Sequence, residues 1–230
     1  MQEKRKPQYD IIILGASGFT GKYVVREALK FLNSPPSPLT TLALAGRNPT
    51  KLAQALQWAA QPNPPPPIPL LTADTTDPSS LLGLCSQTKL ILNCVGPFGL
   101  LGEHVVAACV NSGCNYLDIC GEAEFMERME VKYHEKAMET GSLVISACAF
   151  LSVPVELGLM FNVRQWKDHA APNRIESYLS LESDKRLVLN FGTYESTVMG
   201  VANAQKSQEL MQSRSKKLRP VVRTSSGSFS

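Results

Sequence analysis

Hydrophobic positions along this chain gather in short, nearly continuous runs separated by longer amphipathic stretches. The runs cover residues 9–14, 41–45, 70–73, 90–95, 116–119 and 143–146. A strand buried on both faces reads this way. Between the runs, apolar residues recur every three or four positions, as at Val24, Val25, Ala28, Leu29 and Leu32. That period predicts helices over residues 20–32, 49–60, 78–86, 103–112 and 122–140. Asn48-Pro49 and Asp77-Pro78 each place a capping side chain before a proline suited to the first helical turn. Gly113 and Gly141 stand where the last two of these helices should stop. The stretch 33–38 stops the first of these helices, and the proline-rich 61–69 reads as a stiff extended loop. Six strands alternating with helices predict an α/β protein with a Rossmann-type, doubly wound parallel sheet in the order 3-2-1-4-5-6. Its crossovers should be right-handed.

After Ser146 the alternation stops. A helix is expected over residues 153–166, opened at Pro154, then a strand over 174–182 in which Ile175, Ser177, Leu179 and Leu181 alternate. Another helix is expected within 193–213. The predicted organisation is a Rossmann domain at 1–152 and a partial α+β domain at 153–213 for substrate or oligomerisation. A basic, Ser/Gly-rich flexible tail follows at 214–230. Its Arg214, Lys216, Lys217, Arg219 and Arg223 have no acid among them. They read as a solvated tail, with a weak contact to anionic lipid as the alternative.

Composition narrows the function classes. Apolar residues make up 43% of the 230, enough for a globular core. A net charge of +3, without aromatics interleaved among cations, argues against a nucleic-acid partner. No apolar run approaches the roughly 18 residues that a membrane span needs, and residues 1–7 resemble no leader peptide. A cytoplasmic location is the expectation from the sequence alone. None of the six cysteines forms a Cys-x-x-Cys pair, and the three histidines are scattered. No metal site is expected, and the cysteines read as reduced and buried.

The chemistry concentrates where runs end. After the first run come Gly15, Ser17, Gly18, Phe19, Thr20 and Gly21, with glycines spaced Gly-x-x-Gly-x-x-Gly. A tight turn, an approach for pyrophosphate and close helix–strand packing each need one glycine. The phosphates then meet free N–H groups at a helix N-terminus. The second run ends at Gly46-Arg47, and no carboxylate lies between Glu27 and Asp74. NAD-binding domains place an acid there for the ribose 2′-hydroxyl. A guanidinium suits a 2′-phosphate, so NADP is expected and NAD is disfavoured. Lys51 could add a second charge. Asp74 could accept from the adenine amino group or merely cap a turn. Asn93, Val95, Gly96 and Pro97 end strand four on the nicotinamide side, with Phe98 next. Asp118 and Glu122 end strand five, where a substrate would lie. They are the catalytic candidates, through proton transfer between split carboxyl groups. Glu122 also begins a helix, where an acid is favoured by the dipole alone.

The stretches Gly-Ala-Ser-Gly-Phe-Thr-Gly (15–21), Ala-Gly-Arg (45–47), Asn-Cys-Val-Gly-Pro-Phe (93–98), Tyr-Leu-Asp-Ile-Cys-Gly-Glu (116–122) and Lys-Tyr-His-Glu-Lys-Ala (132–137) together resemble the saccharopine dehydrogenase-like oxidoreductases, most of all a plant member. The resemblance runs from Tyr9 to about Ser213. It implies a Rossmann domain with an α+β domain inserted before the last elements. It also implies NADP binding, hydride transfer to or from a carbonyl, imine or enoyl group, and association with mitochondria or lipid droplets. Relatives that act as trans-acting enoyl reductases extend the substrate class from small molecules to lipids. The chain departs from the family in two ways. Leu151 stands where members carry Asp, which removes a polar group. Members are also longer, so the chain is expected to stop inside the second domain and to lack a C-terminal part that would touch membranes. A homo-oligomer is one expected consequence. The alternative function is a non-catalytic NADP-binding module that senses cofactor or engages a partner.

Overall fold

Each apolar run becomes a strand of one sheet. β1 (Tyr9–Leu14), β2 (Leu42–Gly46), β3 (Leu70–Thr72), β4 (Thr88–Asn93), β5 (Asn115–Asp118) and β6 (Val144–Ile145) pair in the order β3-β2-β1-β4-β5-β6. Every pairing is parallel. The computed structural model describes residues 7–166, 174–180, 182–186, 188 and 190–213. Its helices are α1 (Phe19–Phe31), α2 (Pro49–Ala60), α3 (Pro78–Cys85), α4 (Phe98–Leu101), α5 (Glu103–Ser112), α6 (Ala123–Thr140), α7 (Val153–Gln165), α8 (Phe191–Ala202) and α9 (Ala204–Ser213).

Side chains of a strand alternate between the two faces of its sheet, and both faces here are covered. Ile13 and Leu44 pack with Val25 of α1 and Leu52 and Leu56 of α2. Ile12, Leu14 and Ile91 pack on the other side with Leu81, Val105, Val106 and Phe125 from α3, α5 and α6. Ile12 and Ile13 are both fully buried, which is why the run shows no polar alternation.

The helix starts follow the expected chemistry. Asn48 Oδ1 accepts from Lys51 N at 3.0 Å, and Asp77 Oδ1 accepts from Ser79 N at 2.9 Å. At the amino end of the sheet, Asp10 ties three segments together. Its Oδ2 accepts from the amides of Thr40 and Thr41, each at 2.9 Å, and its Oδ1 meets Lys89 Nζ at 2.6 Å.

Several details differ from the pattern-based expectation. The four-residue α4 is too short to show a period. The helix expected within 193–213 is two helices, broken at Asn203. None of the described residues in 174–182 lies in a strand. Ile175 and Leu179 do alternate, but they are exposed. Without a partner for its backbone groups, an alternating segment gains nothing by becoming a strand. Leu181 and the expected tail at 214–230 lie outside the described residues. No helix among the described residues is long and apolar enough to cross a membrane.

Candidate functional site

The carboxyl ends of β1, β2 and β4 surround a cleft of about 210 Å³. Gly15, Ser17, Gly18, Arg47, Val95 and Gly96 line it, all expected from sequence. Leu14, Gly46, Ala73, Thr75, Cys94 and Leu101 complete the lining. Thr75 follows β3, so the rule that ligands sit beyond the carboxyl ends of strands could have found it. Leu101 sits on the unforeseen α4. A depression of about 940 Å³ between the C-terminal ends of α1 and α2 and the proline loop is larger. It offers no helix N-terminus, so it does not compete as a phosphate site.

The glycines divide three tasks. Gly15 has φ +80°, and a Cβ there would lie 2.7 Å from Val95 Cγ2. A Cβ on Gly21 would lie 2.1 Å from the Gly15 carbonyl oxygen, inside van der Waals contact. Gly21 therefore sets how closely α1 can approach β1. A Cβ on Gly18 would meet just the Gly15 oxygen, at 3.2 Å, so the space around it is otherwise open. The Gly18 amide donates to that oxygen at 2.9 Å and closes the turn.

Capping separates the N-termini of the first four helices; α5, α6 and α7 also lack a side-chain cap, but none of their N-termini lines the cleft. The first amides of any helix lack intrahelical partners. Asn48 and Asp77 cap α2 and α3. Glu122 caps α4, with Phe98 N donating to Oε1 at 2.9 Å and Gly99 N to Oε2 at 2.8 Å. The start of α1 has no side-chain cap, and the turn that leads into it, Gly15 to Gly18, lines the cleft. An anion is favoured there by both the free donors and the helix dipole.

Arg47 is exposed at the end of β2 and makes no ion pair among the described residues. Asp74 lies within its electrostatic reach. Hydrogen bonds from the Thr76 amide and hydroxyl, then the Arg47 charge, hold the Asp74 carboxyl below the usual range. Asp74 thus caps the turn after β3 and stands beside the cleft rather than lining it. Phe19, Thr20 and Gly21 open α1 behind the glycine turn, and Pro97 precedes α4. Burial raises the Cys94 thiol to about 12, so the cysteine in the lining is neutral.

The carboxyl candidates are enclosed. Asn93 and Asp118 are both 0% exposed. Asn93 Oδ1 accepts from Val95 N at 3.0 Å, and its Nδ2 donates to the Tyr116 hydroxyl at 3.2 Å. Asp118 accepts from the amides of Cys120 and Ala147, both at 2.9 Å. It also accepts from the hydroxyls of Tyr116 at 2.8 Å and Ser146 at 3.0 Å. Burial pushes its carboxyl above the usual aspartate range, against these hydrogen bonds. Glu122 takes a third bond from the Ser196 hydroxyl of α8, at 2.8 Å. Neither carboxylate lines the cleft.

A parallel 3-2-1-4-5-6 sheet with an uncapped, glycine-bounded helix N-terminus over its central strand is a dinucleotide-binding Rossmann domain. The family model described as the saccharopine dehydrogenase NADP binding domain matches residues 11–145. The chain belongs to that family. It is 66% identical over 222 residues to the "Probable mitochondrial saccharopine dehydrogenase-like oxidoreductase" of Arabidopsis thaliana, covering 96% of this chain and 49% of the relative. It is 36% identical over 200 residues to the "Lipid droplet localized protein" of Caenorhabditis elegans, covering 86% and 46%. The chain spans about half the length of the curated relatives it matches. Among solved structures, apo saccharopine dehydrogenase (L-Glu forming) from Saccharomyces cerevisiae shares the fold. The TM-score is 0.52 and the identity 11%, over 68% of this chain and 32% of that one.

Proposed function

We propose that this chain is the cofactor-binding part of an NADPH-dependent oxidoreductase that moves hydride to or from a carbonyl, imine or enoyl carbon. One observation carries the reading: α1 alone among α1 to α4 presents uncapped amides beside open space, and that space leads to Arg47. Pyrophosphate would sit at Gly15, Ser17 and Gly18, and the 2′-phosphate at Arg47 with help from Lys51. Val95, Gly96 and Pro97 would border the nicotinamide. The bound nicotinamide would supply the hydride chemistry. The residues of this chain hold and orient it. Asp118 and Glu122 we assign to positioning rather than proton transfer, because protein donors already occupy them. Glu122 holds the start of α4, and Asp118 holds the turn between β5 and the segment after β6.

A different observation favours a second reading, a non-catalytic NADP-binding module: among the described residues, no carboxyl group lines the cleft. Names of relatives suggest the mitochondrion or the lipid droplet as destinations and a lipid-linked group within the substrate class. Calorimetric titration with NADPH and NADH, followed by turnover assays on enoyl-lipid and imino-acid substrates, separates the readings. NADPH should bind more tightly than NADH. Equal affinities would overturn the cofactor assignment. Tight NADPH binding without turnover of any such substrate would select the module.

A further inference from the structure

Three cysteines that take no part in the nucleotide site converge in the core. Cys85 ends α3, Cys109 lies on α5, and Cys114 immediately precedes β5. Their sulfurs all lie within 4.8 Å of one another, and Cys85 Sγ is 3.6 Å from Cys109 Sγ. All three are free and buried. They belong to the apolar layer that includes Leu81, Leu84, Val105 and Val106. The elements carrying them meet at the amino ends of β4 and β5, away from the nucleotide cleft. Their spacing in sequence follows no metal-ligand motif, so just the packing of α3 on α5 reveals the group.

Charge and coordination number decide what such a group can hold. A divalent ion on three thiolates leaves a net negative charge, and burying an unpaired charge in an apolar layer is expensive. Zinc also asks for a fourth ligand, and no His, Asp or Glu joins this cluster among the described residues. A trivalent centre on three thiolates is neutral and needs no fourth partner. Soft sulfur ligands suit soft centres. We propose that Cys85, Cys109 and Cys114 form a binding site for a soft trivalent metalloid, arsenic(III) or antimony(III), taken up as its neutral hydroxide.

The exchange balances without a redox step. Arsenous acid meets three thiols. Three As–O bonds break and three As–S bonds form. The three thiol protons leave with the three hydroxides as water. Entry needs a local opening of α3 against α5.

The test uses the reduced full chain with arsenite as the probe. Native mass spectrometry should show one arsenic per chain, with a mass gain of one arsenic less three protons. X-ray absorption should find three sulfur neighbours. A ligand that binds the folded state raises the melting temperature, so Tm should rise with arsenite. Cys85→Ala and Cys109→Ala should each lose the three-sulfur signature, and Cys148→Ala should keep it. The unmutated chain decides even if a variant fails to fold. No arsenic on the folded chain, or arsenic held by two sulfurs and a hydroxide, means that the cysteines serve as core packing alone.

Discussion

At the residue scale, the glycine loop separates fold from ligand. Gly18 has φ −72° and ψ 171°, an extended conformation open to any residue. Gly18→Val should keep the fold at a smaller cost than Gly21→Ala, since its Cβ would lie 3.2 Å from the Gly15 oxygen rather than 2.1 Å, and should lose NADPH binding, because the side chain fills the phosphate space. Gly21→Ala should fail differently. Its Cβ would press on backbone oxygen rather than on a movable side chain. Overpacking of this kind costs about 1–3 kcal/mol or more. Thermal unfolding of both variants checks the contrast, and an equally unstable pair would sink it. Arg47→Ala should cost about 1.5–3 kcal/mol of NADPH affinity, the range for hydrogen bonds to charged groups, with NADH affinity unchanged. Calorimetry on the variant reads this directly.

At the element scale, two carboxylates act as fasteners. Glu122 joins α4, the start of α6 and α8 through its three accepted bonds. In Glu122→Gln one oxygen becomes an NH2 group, which would face a backbone amide donor. A buried donor left without an acceptor costs about 1–3 kcal/mol. Urea unfolding should show that loss, and a variant as stable as the parent would remove Glu122 from this role. Asp10 makes a pH-dependent fastener. Its bond to Lys89, then the Thr40 hydroxyl and the amides of Thr40 and Thr41, hold its carboxyl well below the usual range. A depressed folded-state pKa adds stability above the unfolded value, and that stability is lost as pH falls. The stability gap between the parent and Asp10→Asn should therefore be full near neutrality. It should shrink as pH falls from about 4, the ordinary aspartate value. Unfolding curves across that window would show a constant gap if the reading is wrong.

At the scale of the whole molecule, the segments after residue 152 attach unevenly. α9 packs against α6, where Lys206 Nζ meets Glu124 Oε1 at 2.7 Å and Arg128 meets the same carboxylate at 3.0 Å. α8 reaches the Glu122 carboxylate at the start of α6 through Ser196. α7 has no buried residue, and Val155, Leu157, Met160, Phe161 and Trp166 are all exposed. A contiguous exposed apolar surface invites association. Hydrogen exchange should be slowest in β1, β4 and α5, intermediate in α9 and fastest in α7, following the burial of each. Sedimentation should show self-association that weakens in Phe161→Glu. Protection of α7 equal to that of α5 in a dilute monomer would contradict both expectations.

The sequence alone determined the sheet and the nucleotide loop, because both rest on short-range rules. Strand and helix periods, cap-and-proline pairs and glycine spacing are local, and the 3-2-1-4-5-6 order is the one expected of a six-stranded dinucleotide-binding sheet. The position of Arg47 in the cleft lining was legible because it directly follows β2, whose carboxyl end borders the site. The roles of Asp118 and Glu122 were not, since a carboxylate in sequence carries no record of its donors. Ala147, Ser146 and Ser196 come from distant segments, and their arrival turns two candidate acids into fully engaged acceptors. The strand expected at 174–182 is missing from its described residues for the same reason in reverse: the alternation was present, but a strand needs a neighbour. The cysteine cluster likewise exists just because α3 and α5 share a face of the sheet. Local chemistry sets what each segment can become, and packing sets which side chains remain free to act.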